Sequence, residues 1–449
     1  MSRRKIVFFL LITLAIVAYS HFDPLHLFGD RAAALLPEVT SIDGSSLADL
    51  PPVGTAIQFF QDRIKQNPQD AVSYTLLGEL YMRQARGTGD VASYQRAEAA
   101  LREALELLPR YTPARASLAA ALYAQHNFSE ALELAQRAYR EDARMTQALA
   151  TAGDAHLALG HYTEGEEAYQ ELIQKSPMPP VRARLAHLAE LKGNIDEARQ
   201  LMQRAAGEAL NAGGSRESVA WYLLRLGDLY FNTGHLDEAG KHYEAALKVF
   251  DNYYLALAGL GKVRAAQGEY QAAIDLYQRA TAIIPQPEFL AALGDVYALT
   301  GQPDEAKLQY DTVEYIGKLA EINRQVYNRQ LANFYSDHDM RLDEALQLAL
   351  TELEFRKDIY GYDAAAWAYY KNGQYEKARE LIEHALRLGT RDAKLYYHAG
   401  MIARAQGRTA DAQRLLSEAL AINPHFDLLQ ARVARSTLDA AHSASPATR

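Results

Sequence analysis

Apolar positions along the chain recur at the spacing of short amphipathic helices, and this pattern repeats about every 34 residues. Between residues 54 and 424 each period predicts two helices joined by a turn that carries a glycine or a polar residue. Two units in phase are Leu260-Gly261, Gly268, Ala273 and Pro285, and Ala399-Gly400, Gly407, Ala412 and Pro424. A repeat of this kind predicts a solenoid in which each unit packs on its neighbours.

Each part of the unit has a physical reason. A glycine at the end of the first helix tolerates the left-handed backbone that stops a helix. It recurs at Gly160, Gly193, Gly234, Gly268, Gly301, Gly373 and Gly407. Acids open the second helix, as in Asp196-Glu197, where they complement the helix dipole. Small alanines follow at the predicted helix crossings.

The pattern resembles the tetratricopeptide repeat, whose signature is a Leu-Gly pair and a tyrosine, then small-aromatic-small residues, then proline. Leu77-Gly78, Tyr81, Ala97, Leu101, Ala104 and Pro109 match it, as do Leu226-Gly227, Tyr230, Ala239, Tyr243 and Ala246. About ten units begin near residues 71, 112, 146, 179, 220, 254, 287, 325, 359 and 393. The resemblance implies an all-α, right-handed superhelical solenoid that holds other molecules along a concave groove.

The repeats also suggest domain boundaries. We predict an N-terminal lobe over 53–212 with a capping helix and a C-terminal lobe over 216–440 with a terminal capping helix. Residues 441–449 are predicted to be a disordered tail. Gly213-Gly214 is the candidate joint between the lobes, and a slightly long surface loop is the alternative.

The N-terminus has the pattern of an export segment. Arg3-Arg4-Lys5 precedes an apolar run over 6–19, followed by the small-residue triplet Ala18-Tyr19-Ser20. Residues 1–20 are therefore predicted to be a cleaved signal peptide or an uncleaved membrane anchor, and both place the body of the protein outside the cytoplasm. Residues 21–52 are interpreted as a linker.

Composition narrows the classes of partner and chemistry. The net charge is −9, with acids and bases interspersed, so no basic stripe indicates nucleic acid as a partner. The chain has no cysteine, which excludes disulfides and thiolate chemistry and suits an oxidising compartment. We expect no cofactor.

The first-helix face that the repeat framework does not use is predicted to line the groove. In the last three units it carries aromatic, basic and polar residues of the kind that binding hot spots favour. The predicted partner-binding residues are Arg329, Asn333, Tyr360, Asp363, Trp367, Tyr370, Lys394, Tyr397, Met401 and Arg404. Trp221, Asp228, Phe231 and Lys262 hold the corresponding places in the middle units. The alternative is that Trp367 and its neighbours pack against adjacent helices.

Three smaller patterns are weaker indications of a binding or catalytic site. Arg329, Asn333, Lys394 and His398 partly resemble the basic clamp with which some family members hold a terminal carboxylate. Asp337-His338-Asp339 has metal-binding residue types but falls in a turn. Gly259-Leu260-Gly261-Lys262 imitates a phosphate loop without its full spacing or a preceding strand.

These observations predict a non-enzymatic scaffold or adaptor that holds a peptide or helix of other proteins in its groove. It would act outside the cytoplasm or at a membrane, in assembly of a multiprotein complex. Residues 6–19 would supply a membrane tether, and the oligomeric state stays open. The alternatives are a polysaccharide- or small-ligand-binding protein, and a non-catalytic helper subunit of an enzyme complex.

Overall fold

The computed structural model describes residues 53–322 and 328–444, and these residues form 22 α-helices. After a first capping helix, the helices follow one another as antiparallel pairs, each packed on the next. The helices are α1 Val53–Gln66, α2 Ala71–Thr88, α3 Ala92–Leu107, α4 Thr112–Ala124, α5 Phe128–Glu141, α6 Thr146–Ala158, α7 Tyr162–Lys175, α8 Pro179–Leu191, α9 Ile195–Asn211, α10 Arg216–Phe231, α11 Leu236–Val249, α12 Tyr254–Ala266, α13 Tyr270–Ile283, α14 Pro287–Leu299, α15 Pro303–Ile322, α16 Asn328–Asp337, α17 Leu342–Phe355, α18 Ile359–Lys371, α19 Tyr375–Leu386, α20 Ala393–Ala405, α21 Thr409–Ile422 and α22 Gln430–Ala444. The predicted all-α solenoid is confirmed.

The turn inside each pair is made as the sequence predicts. Gly193 ends α8 with φ +76°, and the next amide, Asn194 N–H, donates to the Ala189 carbonyl at 2.8 Å. The same left-handed backbone recurs at the other six predicted turn glycines. Where a unit lacks glycine there, His126 and Asp339 adopt positive φ instead. Local backbone chemistry therefore sets where each first helix stops.

Glycines of the first helices provide room for aromatic rings of the second helices. A methyl group added at Gly227 would lie 2.5 Å from Tyr243 Cε1, and one at Gly259 would lie 2.6 Å from the same atom. The Tyr243 ring is therefore packed between two consecutive first helices. It is 1% exposed, which identifies it as a core residue of the solenoid.

Three intervals between the unit starts are longer than 34 residues, namely 71 to 112, 179 to 220 and 287 to 325, and these insertions lengthen helices. α2 has 18 residues and α9 has 17, and these are the helices next to the first two insertions. α15 has 20 residues and precedes 323–327, which lie outside the described residues. At the predicted joint, Gly213-Gly214 forms a turn, and α9 packs on α10 as consecutive helices do elsewhere.

Units six apart along the chain also touch. Lys357 N–H donates to the Ala158 carbonyl, and Ile359 N–H donates to the Tyr162 hydroxyl, both at 2.9 Å. One unit further on, Thr390 Oγ1 donates to the carbonyl of Leu191. These bonds join residues of the two predicted lobes, so the solenoid is wound tightly enough for its successive turns to be in contact.

Several predictions fall beyond these ranges. The signal or anchor at 1–20 and the linker at 21–52 lie outside the described residues. α22 runs to Ala444, and the rest of the predicted tail is likewise outside. No helix in the described part of the chain combines the length and apolar character that crossing a bilayer requires.

Candidate functional site: two cavities on the inner face

The larger of two cavities lies between three consecutive first helices and the C-terminal segment, which we define as residues 423–444. Its volume is about 640 Å³. α10, α12 and α14 supply one wall, and residues 424–435 supply the other. Its lining includes charged and aromatic residues: Asp228, Phe231, Lys262, Phe289, Asp295, Phe426 and Asp427. We call this space the large cavity.

The C-terminal segment is held against the inner face by polar contacts to distant units. Asn423 Nδ2 donates to the Phe231 carbonyl at 2.8 Å, and Arg432 Nη2 donates to the Tyr270 hydroxyl at 3.0 Å. Asn423 is fully buried. α22 was predicted as a cap on the end of the array; it also packs against α21, and the segment to which it belongs covers the large cavity.

The small cavity, of about 240 Å³, lies among the last three units. Five of the ten predicted groove residues line it. Lys394 lines both cavities, so the two spaces meet at this side chain. The lining residues are Arg329, Asn333, Tyr360, Asp363, Asp392, Lys394 and Leu395.

Trp367, Tyr397 and Met401 are in the core, and Asp363 is also buried although it lines the small cavity, so the predicted exposure of these four residues is wrong. Trp367 is 2% exposed and stacks between Tyr370 and His398, with ring centroids 4.7 Å and 4.1 Å away. The ring centroids of Tyr397 and Phe426 are 5.4 Å apart. The alternative interpretation, packing against adjacent helices, describes these side chains.

The last two predicted residues lie at the edge of this cluster. Tyr370 is half-buried beside Trp367, and Arg404 is exposed near the end of α20. They are outside both cavities. A partner that contacts them would lie on the rim of the inner face.

Asp337, at the end of α16, ties three distant elements together. It accepts hydrogen bonds from Trp367 Nε1 at 2.8 Å, Lys394 Nζ at 2.9 Å and Gln430 Nε2 at 2.5 Å. Burial alone would raise the pKa of Asp337, but Lys394 and His398 outweigh it and hold this pKa below its usual value. The carboxylate is therefore charged and structural.

A recurring Asp–Tyr pair on the inner face was missed by the sequence reasoning. Tyrosines of second helices donate to aspartates fifteen residues earlier, at 2.6–2.8 Å. Each aspartate directly follows the glycine of its first helix, a signal that the sequence carried. A basic residue completes each pair. The sets are Asp154, Tyr169 and Arg184; Asp228, Tyr243 and Arg225; and Asp295, Tyr310 and His338.

The cations of the clamp-like set each have an acidic neighbour within the chain. Lys394 pairs with Asp337 as described, Arg329 Nη1 lies 3.5 Å from Asp358 Oδ2, and His398 Nδ1 lies 2.8 Å from Asp363 Oδ1. A carboxylate ligand would have to compete with these internal acids.

The remaining two patterns are part of the framework. Side chains of Asp337-His338-Asp339 contact three different places: the Trp367 cluster, Asp295 and Lys371. Gly259 to Lys262 lie within α12, where the glycines pack on tyrosine rings. A phosphate loop needs free backbone amides, which a helix interior does not offer.

Stacked helix pairs around an inner face with cavities define a helical-repeat protein. Family models described as tetratricopeptide repeat match residues 181–252, 224–286 and 364–441. These parts of the chain are therefore built of tetratricopeptide repeats.

Two curated proteins are similar in sequence over part of their length. Protein O-mannosyl-transferase TMTC1 of Homo sapiens is 28% identical over 227 residues, which are 47% of this chain and 24% of that protein. Tetratricopeptide repeat protein 1 of Schizosaccharomyces pombe is 25% identical over 244 residues, 53% of this chain and 20% of that protein. The chain thus spans a quarter or less of the length of these relatives.

Solved structures are similar at low identity. Yeast Tom70 is 14% identical with a TM-score of 0.38, covering 87% of this chain and 92% of that one. A monomeric mutant of IFIT1 with Gppp-AAAA is 16% identical with a TM-score of 0.47, covering 75% and 76%. The APC/C hetero-tetramer Cut9-Hcn1 is 15% identical with a TM-score of 0.33, covering 87% and 93%.

Proposed function

We propose that this chain is a non-enzymatic scaffold that helps to assemble a multiprotein complex outside the cytoplasm or at a membrane. Tetratricopeptide repeats support a protein-interaction scaffold. The observation that carries the proposal is the bonding between units six apart, through Lys357, Ile359 and Thr390. A surface fixed in this way loses little conformational entropy on binding, so many modest contacts add up to useful affinity.

The small cavity is the place where we expect a partner segment to bind. Arg329, Asn333, Tyr360 and Lys394 offer hydrogen-bond donors, and Asp392 offers an acceptor, within one space. Both kinds of group suit the backbone of an extended peptide, whose amides donate and whose carbonyls accept. Arg404 and Tyr370 on the rim would extend the contact.

The inner-face acids support the non-enzymatic part of the proposal. Asp154, Asp228 and Asp295 each accept from a tyrosine hydroxyl and face a basic partner. A general base needs a lone pair free to take a proton from substrate. These carboxylates are engaged in holding first helices to second helices.

The location rests on sequence features alone. Arg3-Arg4-Lys5, the apolar run over 6–19 and the lack of cysteine support export or anchoring of the body of the protein. Residues 6–19 would then be the tether.

Crosslinking in native cells, followed by membrane fractionation and mass spectrometry of tagged full-length protein, tests the proposal. We expect the intact chain in the membrane fraction, or a processed form outside the cytoplasm, with a few abundant protein partners. A chain that stays in the cytoplasm, or that captures no protein, would contradict the proposal.

A site variant then tests the small cavity. Asn333→Ala should weaken capture of the identified partner about fivefold to tenfold, the effect of losing roughly 1 kcal/mol at an interface. Gln271→Ala is the matched control, because Gln271 is exposed on α13 outside both cavities. Equal capture by both variants would place the partner elsewhere on the surface.

A second candidate function, binding of a small ligand, is favoured by the large cavity. Its volume of about 640 Å³ is that of a small-molecule site, and aromatic rings line it.

A further inference from the structure

Lys262 lies on α12 in the wall of the large cavity, and its side chain is exposed. Its ammonium nitrogen lies 4.1 Å from the centroid of the Phe231 ring. Among the described residues it has no acidic partner within ion-pair distance. An ammonium without a paired acid, next to aromatic rings, can form a charge-assisted hydrogen bond to an anion whose apolar part packs on those rings.

The other charged groups that line the large cavity have partners within the protein. Asp228 accepts from Tyr243 and Arg225, and Asp427 accepts from the backbone amides of Leu429 and Gln430. Similar bonds engage Asp295 with Tyr310 and His338, Lys394 with Asp337, Arg432 with the Tyr270 hydroxyl, and Arg435 with the Pro424 carbonyl.

Glu288, the remaining acid of the wall, has its pKa raised by burial, against a hydrogen bond from Gln330 that lowers it. Burial lowers the pKa of Lys262, and the acids around the cavity act against this without contacting it. Lys262 is thus the charge on this wall that a bound anion would satisfy.

The rest of the wall indicates what the anion is attached to. Phe231, Phe289 and Phe426 present apolar rings, and Tyr243 and Tyr277 add aromatic surface. The cavity volume is in the range that holds small organic ligands. The C-terminal segment covers one side and is fixed by Asn423 and Arg432, so a chain-like ligand would have to displace it.

We propose that the large cavity binds a small aromatic or apolar carboxylate, with its carboxylate on Lys262 Nζ and its apolar body against Phe231, Phe289 and Phe426. The proposal does not rest on the scaffold function. A ligand held there contacts α10, α12, α14 and the C-terminal segment at once, so its binding would stabilise the fold as well.

Calorimetry on the full-length protein with 2-naphthoate and its neutral amide, 2-naphthamide, tests the proposal. We expect the carboxylate to bind at least about tenfold more tightly than the amide, since a charge-assisted contact is the only difference. Lys262→Met keeps the length of the side chain and removes its charge, so it should abolish this preference. Lys248→Met is the control, because Lys248 is exposed on α11 outside the cavity, and it should bind as the wild type does.

The outcomes separate cleanly. No preference for naphthoate in the wild type, or an unchanged preference in a folded Lys262→Met, would overturn the proposal. Circular dichroism and melting temperature check that the variant is folded. If a hexapeptide with a C-terminal phenylalanine bound more tightly than N-acetylphenylalanine, the occupant of the cavity would be a peptide terminus and not a small molecule. Partner capture in cells should not change in Lys262→Met, which distinguishes this site from the small cavity.

Discussion

Replacing Gly193 with alanine tests whether the contact between units six apart stabilises the solenoid. Gly193 has φ +76°, and an added Cβ would lie 2.5 Å from the Gly389 carbonyl oxygen. Gly268 occupies the same place in its own unit, with φ +80°, but an added Cβ there would have nothing within 4 Å. The two variants share the backbone penalty and differ in the contact.

The magnitudes can be worked from these geometries. Alanine in the left-handed region costs about 1–2 kcal/mol, which is the expected loss of unfolding free energy for Gly268→Ala. In Gly193→Ala the Gly389–Thr390 backbone must also retreat. Overpacking of this kind costs about 1–3 kcal/mol. Loss of the bond from Thr390 Oγ1 to the Leu191 carbonyl adds about 1 kcal/mol. The unfolding free energy of Gly193→Ala should therefore be about 2–4 kcal/mol lower than that of Gly268→Ala.

Urea unfolding followed by circular dichroism gives the free energies, and hydrogen exchange of the Gly389–Arg391 amides reports local opening. We expect faster exchange there in Gly193→Ala and unchanged exchange in Gly268→Ala. Equal destabilisation and equal exchange in the two variants would refute the reasoning, because the contact would then contribute no measurable stability.

Two further predictions concern the inner face. Tyr243→Phe removes the hydrogen bond to Asp228 and should lower the unfolding free energy by about 1–2 kcal/mol. Tyr277→Phe should be near neutral, because the Tyr277 hydroxyl has no such acceptor among the described residues. Equal urea midpoints for the two variants would contradict this prediction. The folded pKa of Asp337 is depressed, so the stability it contributes is present above the unfolded pKa of about 4 and is lost as pH falls through the folded value. Asp337→Asn should be less stable than the wild type at pH 7 and should lose less stability on acidification. If the melting temperatures of the two proteins fell in parallel from pH 7 to pH 3, the pair of Asp337 with Lys394 would not be the cause of the acid sensitivity.

Local chemistry made the helix pairs predictable. Glycine is needed where a helix ends in the left-handed region, so Gly193 and Gly268 mark turns wherever they stand in the tertiary structure. A glycine recurs in the first helices because the ring of a second-helix tyrosine, such as Tyr243, packs where the first helix has no side chain. The phase of the repeat then assigns the inner face, which is why five predicted residues meet at the small cavity.

Exposure on that face was not predictable in the same way. Trp367 and Tyr397 have the residue types and the repeat position of a binding surface, yet Phe426 and Gln430 of the C-terminal segment cover their neighbourhood. Nothing in the local pattern of α18 or α20 indicates a segment that folds back from beyond the last repeat. The same holds for Lys262, whose place on the inner face was predicted but whose position opposite the C-terminal segment was not.

The sequence by itself therefore determined the repeat, the turn chemistry and which side chains face inward, because each depends on contacts within one unit or with the next. Tertiary structure alone decided which turns touch and which inner residues are buried. The small rotation from each unit to the next accumulates over six units before Thr390 meets Leu191. This rotation is too small to recognise in the sequence of any one repeat. It nevertheless decides which units come into contact, and with them the shape of the two cavities.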